Sequence, residues 1–259
     1  MFLPEPLYHV LMDKTPKATL LDIATIATDL TTYTFSAMAI REVGSPGAMG
    51  AHENVLTNNP WVATRERAAI VAVFSGADAA STFSVTSASL GGVAGVEAID
   101  RGGASSNFSS AIYIWNVNTL TGITNTDLAI TWSEAIQRCA VSVWLVEGLR
   151  SFEAVATGSN FISAATTMTV DCTIADIECP IGGVLILGGL LNGTTNTVTV
   201  ESTTDGTIID EPFIFVEGLY RHHSAAFSYN SVPQAATLKS TLLTYSASIA
   251  AEAVAVFMA

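Results

Sequence analysis

The chain ends on an echo of its own middle. Residues 127–148, DLAITWSEAIQRCAVSVWLVEG, read as two β-strands, and residues 241–259, TLLTYSASIAAEAVAVFMA, are a weaker copy of them. A unit used twice fixes the architecture before any other consideration. In the first strand Leu128, Ile130 and Trp132 share one face, and Ala129 and Thr131 the other. That is the period of two of a half-buried strand. In the second, Cys139, Val141, Val143 and Leu145 form one face, and Ala140, Ser142, Trp144 and Val146 the other, with Ser142 the only polar member. β-Branched and aromatic residues favour a strand here over a buried helix. Two apolar faces predict a central strand, or one covered by a neighbouring domain or subunit. Val141 and Val143 are expected in the core.

The repeat extends further back. Ser110-Ala111-Ile112-Tyr113 aligns with Ser224-Ala225-Ala226-Phe227, and Ile70-Val71-Ala72-Val73 with Val184-Leu185-Ile186-Leu187, 114 positions apart. Leu128 aligns with Leu242 and Val143 with Phe257 at the same offset. Thr31-Thr32-Tyr33-Thr34-Phe35 aligns with Thr166-Thr167-Met168-Thr169-Val170 at 135, the difference being taken up by a long segment, 41–64. Between these stretches lie turn residues such as Gly91-Gly92 and Gly102-Gly103, the punctuation of a sandwich or barrel. The expectation is an all-β protein of two tandem, pseudo-repeated antiparallel β-sandwiches, immunoglobulin-like or jelly-roll-like. The predicted order is an N-terminal arm (1–30), a first sandwich (31–149), a linker (150–165) and a second sandwich (166–259). One large jelly roll, with each copy supplying half, is the alternative.

Composition bears on partners. Charged residues make up 13% of the chain and hydrophobic residues 49%. A fully solvated monomer usually carries about 25% charged residues, so part of this neutral surface is expected to be covered by other copies or other proteins. The net charge of −13 argues against nucleic acid, which needs a basic footprint, and against an anionic membrane. The start, MFLPEPLYHV, has neither the basic end nor the apolar run of an export signal, and no stretch is long and apolar enough for a membrane helix. Phe2, Leu3, Leu7 and Tyr8 in the arm, and Trp61 in the long segment, lie outside the repeat. They are the candidate subunit interface. Within the arm Leu20, Leu21, Ile23 and Ile26 form either a short helical turn or an edge strand, and the arm either straps its own subunit or reaches a neighbour.

No nucleophile elbow, zinc-protease motif, phosphate loop or dinucleotide fingerprint is present, so no catalytic residue and no cofactor is predicted. Gly91-Gly92 reads as a turn. His222-His223 begins a strand, so the two rings point to opposite faces and do not share a metal; His9 and His52 stand alone. No metal site is predicted. Cys139 reads as a small core residue, whereas Cys172 and Cys179 either close a short disulfide loop or remain thiols. Asp205, Asp210, Glu211 and Glu217 form an acidic stretch without the spacing of a calcium loop. Trp115, Trp132 and Trp144 fall in strands, and strand tryptophans serve cores or interfaces. Trp61 either packs or stacks on a sugar.

The succession TTYTFSAMAI, ERAAIVAVF, FSVTSASLGGVAG, SSAIYIWNV, RCAVSVWLVEG and then Gly182-Gly183-Val184-Leu185 resembles a group of uncharacterised tailed-bacteriophage virion proteins. The resemblance spans about residues 31–259 and carries strand patterns without catalytic signatures. It implies a non-enzymatic structural component of a phage particle, as capsid decoration, neck or collar, or tail accessory protein. Homo-oligomers and other virion proteins would be its partners and the virion its location. A receptor- or carbohydrate-binding sandwich of a phage tail is the alternative.

Overall fold

The computed structural model describes residues 16–36, 38, 67–78, 82–102, 107–120, 123, 125–149, 151–174, 181–193, 196–204, 206–210, 213–216, 220–232 and 237–259. These are strands joined by short turns, with one 3-10 turn at Val117–Leu120. The first half supplies β1 (Lys17–Ile26), β2 (Leu30–Phe35), β3 (Arg67–Ala77), β4 (Val85–Leu90), β5 (Val93–Ala94), β6 (Val96–Asp100), β7 (Phe108–Asn116), β8 (Leu128–Ile136) and β9 (Arg138–Leu149). They form two antiparallel sheets, ordered β1-β9-β3-β7-β6 and β2-β8-β4-β5. The alternation read from the sequence is obeyed. Leu128, Ile130 and Trp132 of β8, and Cys139, Val141 and Val143 of β9, are all buried in the core between these sheets. Gly91 and Gly92 form the two-residue β4–β5 turn, both with positive φ (55° and 83°). That is the backbone a primed hairpin turn needs.

The second half supplies β10 (Ala156–Ile174), β11 (Ile181–Asn192), β12 (Val198–Ser202), β13 (Thr207–Asp210), β14 (Phe213–Val216), β15 (Tyr220–Val232) and β16 (Thr237–Met258). They form a single sheet, ordered β10-β16-β11-β15-β13, with β12 also on β16 and β14 also on β15. This sheet closes over itself. β16 pairs with β10 along most of its length, with β11 only from Ala251 to Met258, and with β12 only from Thr241 to Tyr245. Side chains from both stretches of β16 meet in one core with Met168, Leu187 and Phe227.

The two sandwiches therefore share one strand order. β1 and β2 correspond to the two ends of β10, and β8 and β9 to the two ends of β16. β3, β7 and β6 correspond to β11, β15 and β13. Registers refine the offset. β7 and β15 are 114 apart, so Ile112 and Ala226 are equivalent, and both face away from their own cores. β3 differs. Ala72 pairs with Tyr113, and Leu185 pairs with Phe227, so β3 and β11 are 113 apart. Likewise Tyr33 pairs with Ile130, and Met168 with Leu243, which puts Ile130 and Leu243 at 113. Leu128 thus corresponds to Thr241, not to Leu242 as expected. A slip of one residue would have turned core side chains outward, and burial sets the register.

Two predicted boundaries shift. Residues 17–26, assigned to an arm, form β1 and pair with β9 from Lys17 to Ile26. Residues 156–165, assigned to a linker, are the first part of β10. Neither stretch alternates cleanly, because both are sheet edges with one side half-exposed.

The sandwiches stack face to face. β3 lies against β11, β7 against β16, β9 against β15, β6 against β10, and β1 against β13. Exchanging the halves maps these contacts onto one another, so an approximate twofold relates the sandwiches and the outer faces of β3 and β11 meet at its centre. A third apolar cluster fills this seam, including Val71, Val73, Ile112, Trp144, Ile186, Val254 and Val256.

Candidate functional site: the seam between the sandwiches

A group of polar side chains fully removed from water sits in this seam. They come from strands whose inward faces are already committed to a sandwich core, so their alternate residues point at the other half. Ser75 of β3 and Ser110 of β7 are cross-strand partners with hydroxyls 3.4 Å apart. His222 of β15 places Nδ1 3.0 Å from the Ser75 hydroxyl. Trp144 of β9 donates its indole N–H to Ser224 Oγ at 2.9 Å, and that hydroxyl donates to the Leu187 carbonyl at 2.9 Å. Each of these bonds except that to Leu187, which stays within the second sandwich, joins groups of the seam across or along its face.

Glu252 is the outlier. It interrupts the apolar end of β16, and its side chain is fully buried. Arg101, just beyond β6, brings Nη1 to 3.8 Å from its carboxyl. Burial pushes the Glu252 carboxyl up to about 8, against the opposing pull of Arg101 and of Ser110. Burial pushes the other way on the histidines, lowering His222 to about 3 and His223 to about 4. Both rings are therefore neutral across the physiological range. Beside this cluster an aromatic group closes one end of the seam. Phe108 meets Tyr220 edge-on at 5.4 Å, Arg101 lies 5.6 Å over Phe161, and Arg138 lies 5.5 Å over Tyr220.

Ser75 against His222 has the spacing of a nucleophile and its base. Neither is exposed to solvent, and no carboxylate is hydrogen-bonded to the ring among the described residues. The arrangement pairs the Ser75, Ser110 and Ser224 hydroxyls and the Trp144 indole with groups of the seam and fixes how the two halves sit on each other.

The predicted interface residues Phe2, Leu3, Leu7, Tyr8 and Trp61 lie outside the described residues, as do Cys179, Asp205, Glu211 and Glu217. Cys139 and Cys172 are buried, each in the core of one sandwich; burial raises both thiols, Cys172 to about 12. His222 and His223 do point to opposite faces, and no group of metal-binding side chains occurs among the described residues. Trp115 and Trp132 pack in the first core, and Trp144 in the seam. Sequence reasoning missed Glu252, although a lone carboxylate inside SIAAEAVAVFMA was a signal. Its partners Arg101 and Ser110 are brought near only by the stacking of the halves.

No family model matches the chain, and no curated protein matches it. Among solved structures, Red Clover Necrotic Mosaic Virus aligns at 10% identity and a TM-score of 0.23, covering 95% of this chain and 96% of that one. Melon necrotic spot virus aligns at 12% identity and a TM-score of 0.23, covering 94% and 97%. Likeness at that level carries no statement about fold or function. No helix among the described residues is long and apolar enough to cross a membrane.

Proposed function

We propose that this chain is a structural, non-enzymatic component of a bacteriophage particle that works through contacts with further copies and with other virion proteins. The reading rests first on the strand-by-strand resemblance of residues 31–259 to phage virion proteins. One structural observation supports it. The groups best suited to chemistry are enclosed, His222, Ser75 and Glu252 where the two sandwiches join and His223 on the inner face of the second sandwich, so their evident work is to hold the chain's shape. The low charge content adds that part of the outer surface is covered in an assembly.

Two measurements test this. Antibody detection in gradient-purified particles should find the chain in the virion. Deleting residues 1–12, which carry Phe2, Leu3, Leu7 and Tyr8, should lower the solution mass of the purified protein or its attachment to particles, with an unchanged far-UV circular dichroism spectrum. A chain absent from particles and monomeric at all concentrations overturns the reading.

A further inference from the structure

We infer that Glu252 is a proton-operated lock on the seam: with its proton it is a neutral group clasped between the sandwiches, and without it the sandwiches loosen on each other. The geometry carries this. The carboxyl sits on β16 with no solvent exposure, and among the described residues neither oxygen has a hydrogen bond of ordinary geometry, the Ser110 hydroxyl and N–H making only a looser approach. What faces it can be named from each surrounding element. Arg101 beyond β6 offers a guanidinium at 3.8 Å. Asp100 at the end of β6 adds a like charge, and Ser110 of β7 offers a hydroxyl. Its strand neighbours are apolar, Leu190 on β11 and Phe161 on β10, and His222 lies one strand beyond Leu190. One cation, itself partly solvated, thus stands against a buried carboxylate, a carboxylate neighbour and apolar walls. A buried charge so incompletely matched is costly, and proton uptake removes the cost.

The direction follows from linkage. A carboxyl raised from 4.5 in the unfolded chain to about 8 in the folded one adds stability that is complete below pH 4.5. It is lost as pH rises toward 8, and the loss then levels off. His222 and His223, lowered from 6.5, add stability that is complete above pH 6.5 and is lost as pH falls toward 3–4. The two effects oppose each other below pH 6.5. Between 6.5 and 8 the carboxyl acts without them.

The experiment is denaturant unfolding of the full chain from pH 6.5 to 9.5, with amide hydrogen exchange at the two ends of that range. The unfolding equilibrium constant should rise roughly tenfold per pH unit up to about pH 8 and then level off. Glu252→Gln should flatten the rise. If that variant does not fold, Arg101→Gln serves: losing the cation should carry the rise past pH 8. After correction for intrinsic rates, amides of β7 and β16 should gain exchange at high pH while those of β4, on the far side of the first core, do not. An unchanged rise in Glu252→Gln, an unmoved plateau in Arg101→Gln, or uniform exchange across the sheets overturns the lock.

Discussion

The two sandwiches follow one path, yet they turn the same corners differently. In the second, β10 and β16 bend and run through both layers unbroken, with register shifts between Ile162 and Thr167 marking the bend of β10. In the first the same path is cut. β1 and β2 are separated at 27–29, and β8 and β9 at Gln137. Cutting a strand frees backbone groups that a continuous strand would keep in its ladder, and these must find partners. Tyr33 supplies one. Its hydroxyl lies between the carbonyls of Thr28 and Ile136, one at each broken corner, and shares its single proton between them. The equivalent residue, Met168, has no such group and needs none, because β10 stays continuous. Identical topology is thus compatible with unlike corner chemistry.

This contrast explains what the sequence disclosed. Alternation in residues 127–148 disclosed the strands, their buried faces and the covered position of β9. The local repeat disclosed that two such units exist. Register stayed hidden by one residue at β3 and β8, because Ile70-Val71-Ala72-Val73 is apolar on both faces and aligns equally well either way. β1 was legible only as one of two alternatives at Leu20 to Ile26, a helical turn or an edge strand, because an edge strand with half-exposed residues lacks a clean period. The seam was hidden altogether: its polar members lie on at least five strands and the segment after β6, and only the stacking brings them together.

The largest expected effect asks whether the halves stand alone. Val143 is fully buried in the first core, and Val143→Asp puts an unpaired charge there, a cost expected to exceed about 4 kcal/mol. The first sandwich should not fold. The second should fail with it, since the outer faces of β11 and β16 are apolar and are covered by the first. Thiol labelling with peptide mapping reads each half separately, through Cys139 in the first core and Cys172 in the second. Labelling of both is the expected result. Protection of Cys172 alone would make the second sandwich an independent domain.

A smaller effect compares equivalent glycines, Gly76 of β3 and Gly189 of β11, which are 113 apart like their strands. A methyl at Gly76 would meet the ends of side chains, Ile136 at 2.7 Å and Phe83 at 2.9 Å. A methyl at Gly189 would meet backbone, the Glu252 carbonyl oxygen at 1.9 Å and the Ala253 Cα at 2.7 Å. Side-chain ends can shift, while a paired strand cannot without losing ladder bonds. Gly76→Ala should cost about 1–3 kcal/mol and Gly189→Ala clearly more, read as denaturant midpoints. Equal costs would mean that β16 yields at this point.

The smallest effect lies where the halves differ by one side chain in the seam. Ser142 of β9 corresponds to Val256 of β16, 114 positions on, and both are fully buried. The Ser142 hydroxyl has no hydrogen-bond partner among the described residues. Leaving a buried hydroxyl unpaired costs about 1–3 kcal/mol relative to an apolar group of matching shape. Its strand neighbours are Val73 on β3 and Ile23 on β1, so nothing in the ladder calls for a hydroxyl. Ser142→Ala should therefore raise the melting temperature slightly. Ser142→Val copies the residue that the other half already uses, and adds the contacts of two methyl groups that alanine lacks. If the approximate twofold extends to side-chain space, the introduced valine fits as Val256 does and stabilises more than alanine. If the valine variant melts below the alanine variant, the space opposite β9 is narrower than the space opposite β16, and the symmetry of the seam stops at the backbone.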